Sequence, residues 1–153
     1  MNESLLDAEL RRDEGVRYSP YVDTTGNRTI GVGRNMKANP IPKGWTFPLT
    51  DAQVEQLLAE DIQTACASLD RFLPWWRNLD EVRQRVMANM AFNMGIGTLM
   101  TFRNTLTNIK LGFYTAAATG MRASLWARQV GARAQRLAQA METGVMPVAD
   151  GVA

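Results

Sequence analysis

Apolar positions near the start of the chain recur at helical spacing. Leu6 and Leu10 share one face, Asn2 or Ser4 can cap the first turn, and Gly15 stands where such a helix would stop. Between Arg17 and Gly33 the texture changes to Tyr, Val, Thr and Ile around a TTGN cluster, which predicts strand, turn and strand, with Tyr21 to Asp23 leading in and Arg28 to Val32 leading out. Residues 35–49 hold Pro40, Pro42, Gly44 and Pro48 with little periodicity and read as a loop over this small sheet. At Thr50 the helical period returns. Thr50 and Gln53 stand at capping-box spacing, and Val54, Leu57, Leu58, Ile62, Ala65 and Leu69 line one face of a helix over 50–71. Such a helix is roughly 30 Å long at 1.5 Å per residue. After Pro74 the pattern stays helical: Val82, Val86 and Met90 in a segment ended by Gly95, then shorter pieces around Leu106–Leu111, Phe113–Met121, Leu125–Gln129 and Ala132–Met141.

These elements predict an α+β, mainly helical chain. Its expected parts are 1–49, one helix plus a small antiparallel sheet; 50–71, a connecting helix; 72–144, an all-helical region; and 145–153, a frayed tail. The chain has 153 residues, of which 46% are hydrophobic and 21% charged, the balance of a globular protein rather than a disordered one. No apolar run approaches the roughly 20 residues of a membrane span. The opening MNESLLDAELRRDEG is acidic and amphipathic, unlike a signal peptide, so synthesis into the cytoplasm is expected. Charge is uneven: seven basic and nine acidic side chains in 1–60, ten and six in 61–153, so an anionic partner suits the second half better.

The chain contains no His and a single Cys, Cys66. That excludes a Ser/His/Asp or Cys/His nucleophile pair, an imidazole base, a disulfide within the chain and a Cys- or His-based metal site. Acid/base chemistry then falls mainly to carboxylates. Asp13 and Glu14 lie at the predicted C-terminal end of the first helix, where the macrodipole is negative and an anion is disfavoured. A partly buried carboxyl there is expected to hold its proton to higher pH, as a general acid needs. Asp23 ends the first strand, and the short link Gly15–Val22 forces helix end and hairpin to meet. Two carboxylates in different surroundings can cleave a glycosidic bond. Thr29, across the turn, offers a hydroxyl to a water. From spacing alone, solvated surface carboxylates remain the plain alternative.

The run EGVRYSPYVDTTGNRTIGVG, Glu14 to Gly33, resembles the T-even phage-type lysozymes, muramidases of glycoside hydrolase family 24. Glu14, Gly15, Arg17, Tyr21, Asp23, Gly26, Thr29, Ile30, Gly31 and Gly33 all fit the family signature, and the likeness continues through TDAQVEQLLAEDI, LDEVRQRVMANMAFNMG, FRNTL and SLWARQVGARAQRLAQAMETG. The resemblance implies a two-lobed lysozyme-like fold. It also implies hydrolysis, with inversion, of the β-1,4 bond between N-acetylmuramic acid and N-acetylglucosamine in peptidoglycan. Glu14 would be the general acid, Asp23 the second carboxylate and Thr29 the residue that orients the attacking water. Inversion requires the two carboxyls to stand roughly 6.5–9.5 Å apart.

By the same likeness Arg133 and Arg136 support Glu14 and Asp13, and Asn35, Phe92, Asn93, Thr105 and Trp126 fall at substrate-contact positions. Core packing is the alternative for Phe92 and Trp126, and surface charge the alternative for the two arginines. Gly120 falls where a family member carries an amide and receives no role. Arg34 replaces a histidine of the best-known family member; it is expected to pair with Asp61, so that Asp61→Asn should destabilise the fold. The resemblance implies no metal or organic cofactor, a monomer, no nucleic-acid partner, and an endolysin that reaches the wall of its bacterial host through a holin-type membrane pore. A lytic transglycosylase, a virion-associated lysozyme, and a non-catalytic membrane-active or nucleic-acid-binding basic protein are the competing readings.

Overall fold

The computed structural model describes residues 1–148; positions 149–153 of the expected tail lie outside the described residues. Helix α1 (Glu3–Glu14) is followed by strands β1 (Arg17–Val22), β2 (Arg28–Gly31) and β3 (Arg34–Asn35), then by α2 (Asp51–Phe72), a 3₁₀ turn (Pro74–Asn78), α3 (Glu81–Leu99), α4 (Arg103–Lys110), α5 (Tyr114–Ala123), α6 (Leu125–Val130) and α7 (Ala132–Thr143). The mainly helical α+β class is as the periodicity predicts. The described residues form two compact units, Glu3–Thr64 and a second that starts at Ala65 and also takes in Met1–Asn2, so the division falls inside α2. No helix among them is long and apolar enough to cross a membrane.

In the first unit the strands form an antiparallel sheet in the order β1-β2-β3. β1 begins at Arg17, four residues earlier than the sequence suggested, because it carries an irregularity between Arg17 and Tyr21 around Pro20, whose ring nitrogen cannot donate to a ladder. β3 falls in a stretch read as loop. It pairs Ile30 with Arg34 and Thr29 with Asn35 across a turn whose Gly31 and Gly33 both have positive φ, 65° and 70°. Leu6, Leu10, Ile30, Val32, Leu49, Val54, Leu57 and Leu58 are buried.

The loop from 36 to 49 is tied at both ends. Arg34 donates to the carbonyls of Asn39 (2.9 Å) and Pro40 (3.1 Å) and reaches Glu60 and Asp61 on α2, each at 3.3 Å. At the far end Leu49 N–H donates to Tyr18 O (2.7 Å), and the Tyr18 hydroxyl donates to Asp51 (2.6 Å). The capping box opens α2 as the sequence signals: Thr50 N–H donates to Gln53 Oε1 (2.9 Å) and Gln53 N–H to Thr50 Oγ1 (3.1 Å).

In the second unit α5 and α7 pack along each other through Ala117, Ala118 and Met121 on one side and Ala134, Leu137, Ala138 and Met141 on the other. The small side chains let the backbones approach. Gly95, with φ 79° and ψ 157°, breaks the helical path of α3, so the stop expected there is a kink with one further turn beyond it. Trp76 is fully buried and donates to Asp70 (2.8 Å).

The pairing of Arg34 with Asp61 is present, and the burial of Asp61 argues for an effect of its removal opposite to the one expected from the pair alone. Burial pushes the Asp61 carboxyl up to about 6 from 3.8; the Arg34 charge opposes this and Glu60 adds to it. Between those two values the folded chain keeps a proton that the unfolded chain releases. Stability conferred through Asp61 is therefore complete below about pH 4, declines as pH rises to about 6, and stays flat above. Asp61→Asn is expected to abolish that decline and to leave the denaturant midpoint at pH 7 equal to or above wild type. Arg34→Met, which leaves two acids facing each other and two carbonyls without their donor, is expected to lower it. Urea titrations at pH 4, 5.5 and 7 measure both.

Candidate active site

The three residues expected to carry the chemistry, Glu14, Asp23 and Thr29, all lie in the first unit. Glu14 is the last residue of α1, and the chain leaves the helix through Gly15, whose φ is 74° and whose N–H donates to Arg11 O (2.9 Å). The glutamate side chain then lies on the backbone of Gly33 in the β2–β3 turn. A Cβ at Gly33 would come within 2.7 Å of Glu14 Oε2 and 3.0 Å of its Cδ. Helix end and hairpin meet, as the short link demanded, and the place of contact is a glycine that sequence reasoning treated only as part of a motif. The signal was present as a second glycine two residues after Gly31, since a turn needs fewer unless a side chain must approach the backbone. Neighbouring Asp13 has a fully buried side chain, 3.3 Å from Arg12 Nε.

Asp23 closes β1 and builds the turn to β2. Its Oδ1 accepts from Asn27 N–H (2.8 Å), Thr25 N–H (2.9 Å) and the Thr25 hydroxyl (2.8 Å), while its own N–H donates to Asn27 O (2.9 Å). The Asn27 N–H, followed by the Thr25 hydroxyl, holds the Asp23 carboxyl below the usual range. All three side-chain bonds fall on Oδ1, so Oδ2 stays open. Thr29 is buried on β2, opposite Tyr21, and its hydroxyl donates to the same Asn27 O (3.0 Å), which keeps its lone pairs available to accept from a water. The Asn27 backbone thus links the two residues, a role that the sequence did not single out.

Of the expected substrate contacts, Asn35 lies in β3 and its Oδ1 accepts from Lys37 N–H (3.0 Å) and Ala38 N–H (3.2 Å), so the carbonyl shapes the loop and only the amide donors face outward duties. The others are in the second unit. Thr105 and Trp126 line a groove of about 730 Å³ with Phe102, Asn104, Gly120 and Gln129. Trp126 donates to Asn93 Oδ1 (2.7 Å) and meets Phe102 edge to face with ring centroids 6.4 Å apart, so the Asn93 oxygen is occupied in holding the Trp126 indole. Half-buried Phe92 does not line the groove. Gly120 now has a reason: a Cβ there would come within 2.4 Å of the Thr105 hydroxyl. On α7, Arg133 is buried and donates to Asn89 Oδ1 (3.0 Å), and Arg136 is half-buried. Among the described residues no three His, Cys, Asp or Glu side chains gather in a way that could hold a metal ion.

Residues 11–142 match the family described as phage lysozyme. The chain is 32% identical, over 88% of its length, to the pre-baseplate central spike protein of Enterobacteria phage T4, of which it spans only 27%. It is 30% identical to a probable T4-type lysozyme of Dictyostelium discoideum, covering 94% of the chain and 96% of that protein. To the endolysin of Salmonella phage P22 it is 33% identical, covering 71% of the chain and 73% of the endolysin. A carboxylate seated on a glycine turn, a second one fixed by a hairpin, and a match over most of the chain converge: the chain belongs to the phage lysozyme family, the muramidases among the glycoside hydrolases.

Proposed function

We propose that this chain hydrolyses the β-1,4 bond between N-acetylmuramic acid and N-acetylglucosamine of peptidoglycan with inversion. Glu14 protonates the leaving oxygen, and the Asp23 carboxylate acts from the other side with a water that Thr29 orients. The observation that carries this reading is the fixing of Glu14 against the Gly33 backbone within the unit that also holds Asp23 by three donors. A carboxyl resting against a turn has part of its rotation closed off, which favours one position relative to the oxygen it serves. Asp23, held low by its hairpin, stays ionised throughout the working range and suits the role that needs negative charge.

Likeness to the P22 endolysin supports a lytic role, in which the chain acts as a monomer on the wall after a holin-type pore opens the membrane. The match to part of the T4 spike protein favours, as a second reading, carriage in the virion. Immunoblots of purified particles separate the two.

Glu14→Gln is expected to lower the clearing of peptidoglycan by roughly two to four orders of magnitude, and Asp23→Asn by at least two. Full activity in Glu14→Gln overturns the mechanism. Anomer-resolved NMR of the first products should show reducing ends with inverted configuration, whereas anhydro ends would mark a transglycosylase. Gly33→Ala is expected to cost about 1–2 kcal/mol of stability, because alanine is strained at φ 70°, and, by displacing the movable end of Glu14, to lower kcat by about a hundredfold with little change in KM. Thr25→Ala removes one donor from Asp23 and should move the acid limb of the kcat/KM profile to higher pH, with the rate at pH 7 nearly unchanged.

A further inference from the structure

Residues 65–148 contain ten basic and four acidic side chains. All four acids are engaged: Asp70 with Arg77 (2.8 Å), Asp80 with Arg83 (2.9 Å), Glu81 with Arg85 (2.7 Å) and Glu142 with Arg122 (3.5 Å). Two of the surplus cations meet at one shallow groove of about 280 Å³. Arg103 and Lys110, from the two ends of α4, line it together with Leu73, Trp75, Met100 and Leu106, and no acid does. Arg71 stands two positions before Leu73 and stacks over Phe72, 5.1 Å from the ring centroid. Among the described residues, none of Arg71, Arg103 and Lys110 forms an ion pair.

The same stretch exposes large apolar side chains. Met100, in the groove, is 37% exposed, and Phe72, Leu111 and Phe113, next to or near its walls in the chain, are 47%, 60% and 59% exposed. Free cations beside exposed apolar groups suit a partner that is anionic at its surface and apolar just beneath. A nucleic acid would satisfy the cations and leave Met100, Leu111 and Phe113 in water. A neutral sugar chain could pack on the apolar groups but would leave the cations without counter-charge.

We propose that this face docks on a bilayer carrying anionic phospholipid, with headgroup phosphates against Arg71, Arg103 and Lys110 and with Met100 and Trp75 entering the interfacial layer. The docking is independent of the hydrolytic reaction and would hold the enzyme at a membrane beside its polymeric substrate.

The test is co-sedimentation of the full chain with vesicles of phosphatidylcholine alone or with 30% (about a third) phosphatidylglycerol. Each basic side chain near an anionic surface changes partitioning about fivefold, so Lys110→Glu, a change of two charges, should weaken binding to the anionic vesicles roughly thirtyfold. Met100→Ser should weaken it severalfold, and raising the salt should reverse binding. Both positions are exposed, so both variants should keep the wild-type melting curve, and both should hydrolyse soluble peptidoglycan fragments at the wild-type rate. A blue shift of tryptophan emission on binding, absent in Trp75→Phe, locates the contact. Equal binding to neutral vesicles, or unchanged binding in Lys110→Glu, overturns the proposal. So does hydrolysis that falls in step with vesicle binding, which would put the face in the substrate site. Binding of duplex DNA that depends on Lys110 and not on Met100 assigns the face to a polyanion and overturns it as well.

Discussion

A glutamate at the end of a helix can swing through a wide cone, and here it comes to rest in the space that the missing Cβ at Gly33 leaves open. The Glu14 carboxylate fills the volume that any other residue at 33 would claim. The arrangement requires a hairpin turn tight enough to present bare backbone, which is why Gly31 and Gly33 both adopt positive φ around the buried Val32. It also requires the turn to stay put. Arg34, the next residue, supplies that by spreading its donors over two loop carbonyls and two acids of α2. A bidentate planar cation does here what a single imidazole could not, since no imidazole reaches four acceptors.

The second carboxylate is held by different means. Asp23 shapes its own turn: three donors grip Oδ1, and the carboxyl is pulled low by them rather than by a nearby arginine. Hydrogen bonds from backbone N–H groups also hold direction, so the open Oδ2 is aimed as well as ionised. A carboxylate so stabilised is a weak base. In the proposed reaction its use is to keep negative charge and a water in place, and the Thr29 hydroxyl, bonded to the same Asn27 carbonyl, shares that frame.

Local reciprocity was readable from the sequence. The Thr50–Gln53 box, the α1 stop at Gly15 and the alanine-rich helices are each decided by neighbours within a few residues, and they stand where the pattern put them. The short β3 was not readable, because two residues of strand leave no alternation to see. Contacts between distant residues were legible only through the family likeness, which named Asn93, Thr105 and Trp126 but not how they serve. The Asn93–Trp126 bond and the fit of Thr105 against Gly120 need coordinates. The burial of Asp61 was hidden for a related reason: a sequence shows that an arginine and an aspartate can pair, and it does not show how much water the aspartate has lost.

The helical unit raises the opposite question, that of charge left unpaired. Its four acids are each taken by an arginine, and Arg133 is buried against Asn89, but Arg71, Arg103 and Lys110 have no acid beside them. A patch of like charge repels itself, and exposed Phe and Leu beside it invite association. Neither feature alone calls for explanation, since single exposed apolar residues are common. Their coincidence at one groove, where Arg103 and Lys110 flank Met100 and Trp75, is different. Each would be relieved by a surface with charge outside and hydrocarbon within, and folding of the unit requires neither. The face therefore reads as shaped by what the chain meets after it has folded.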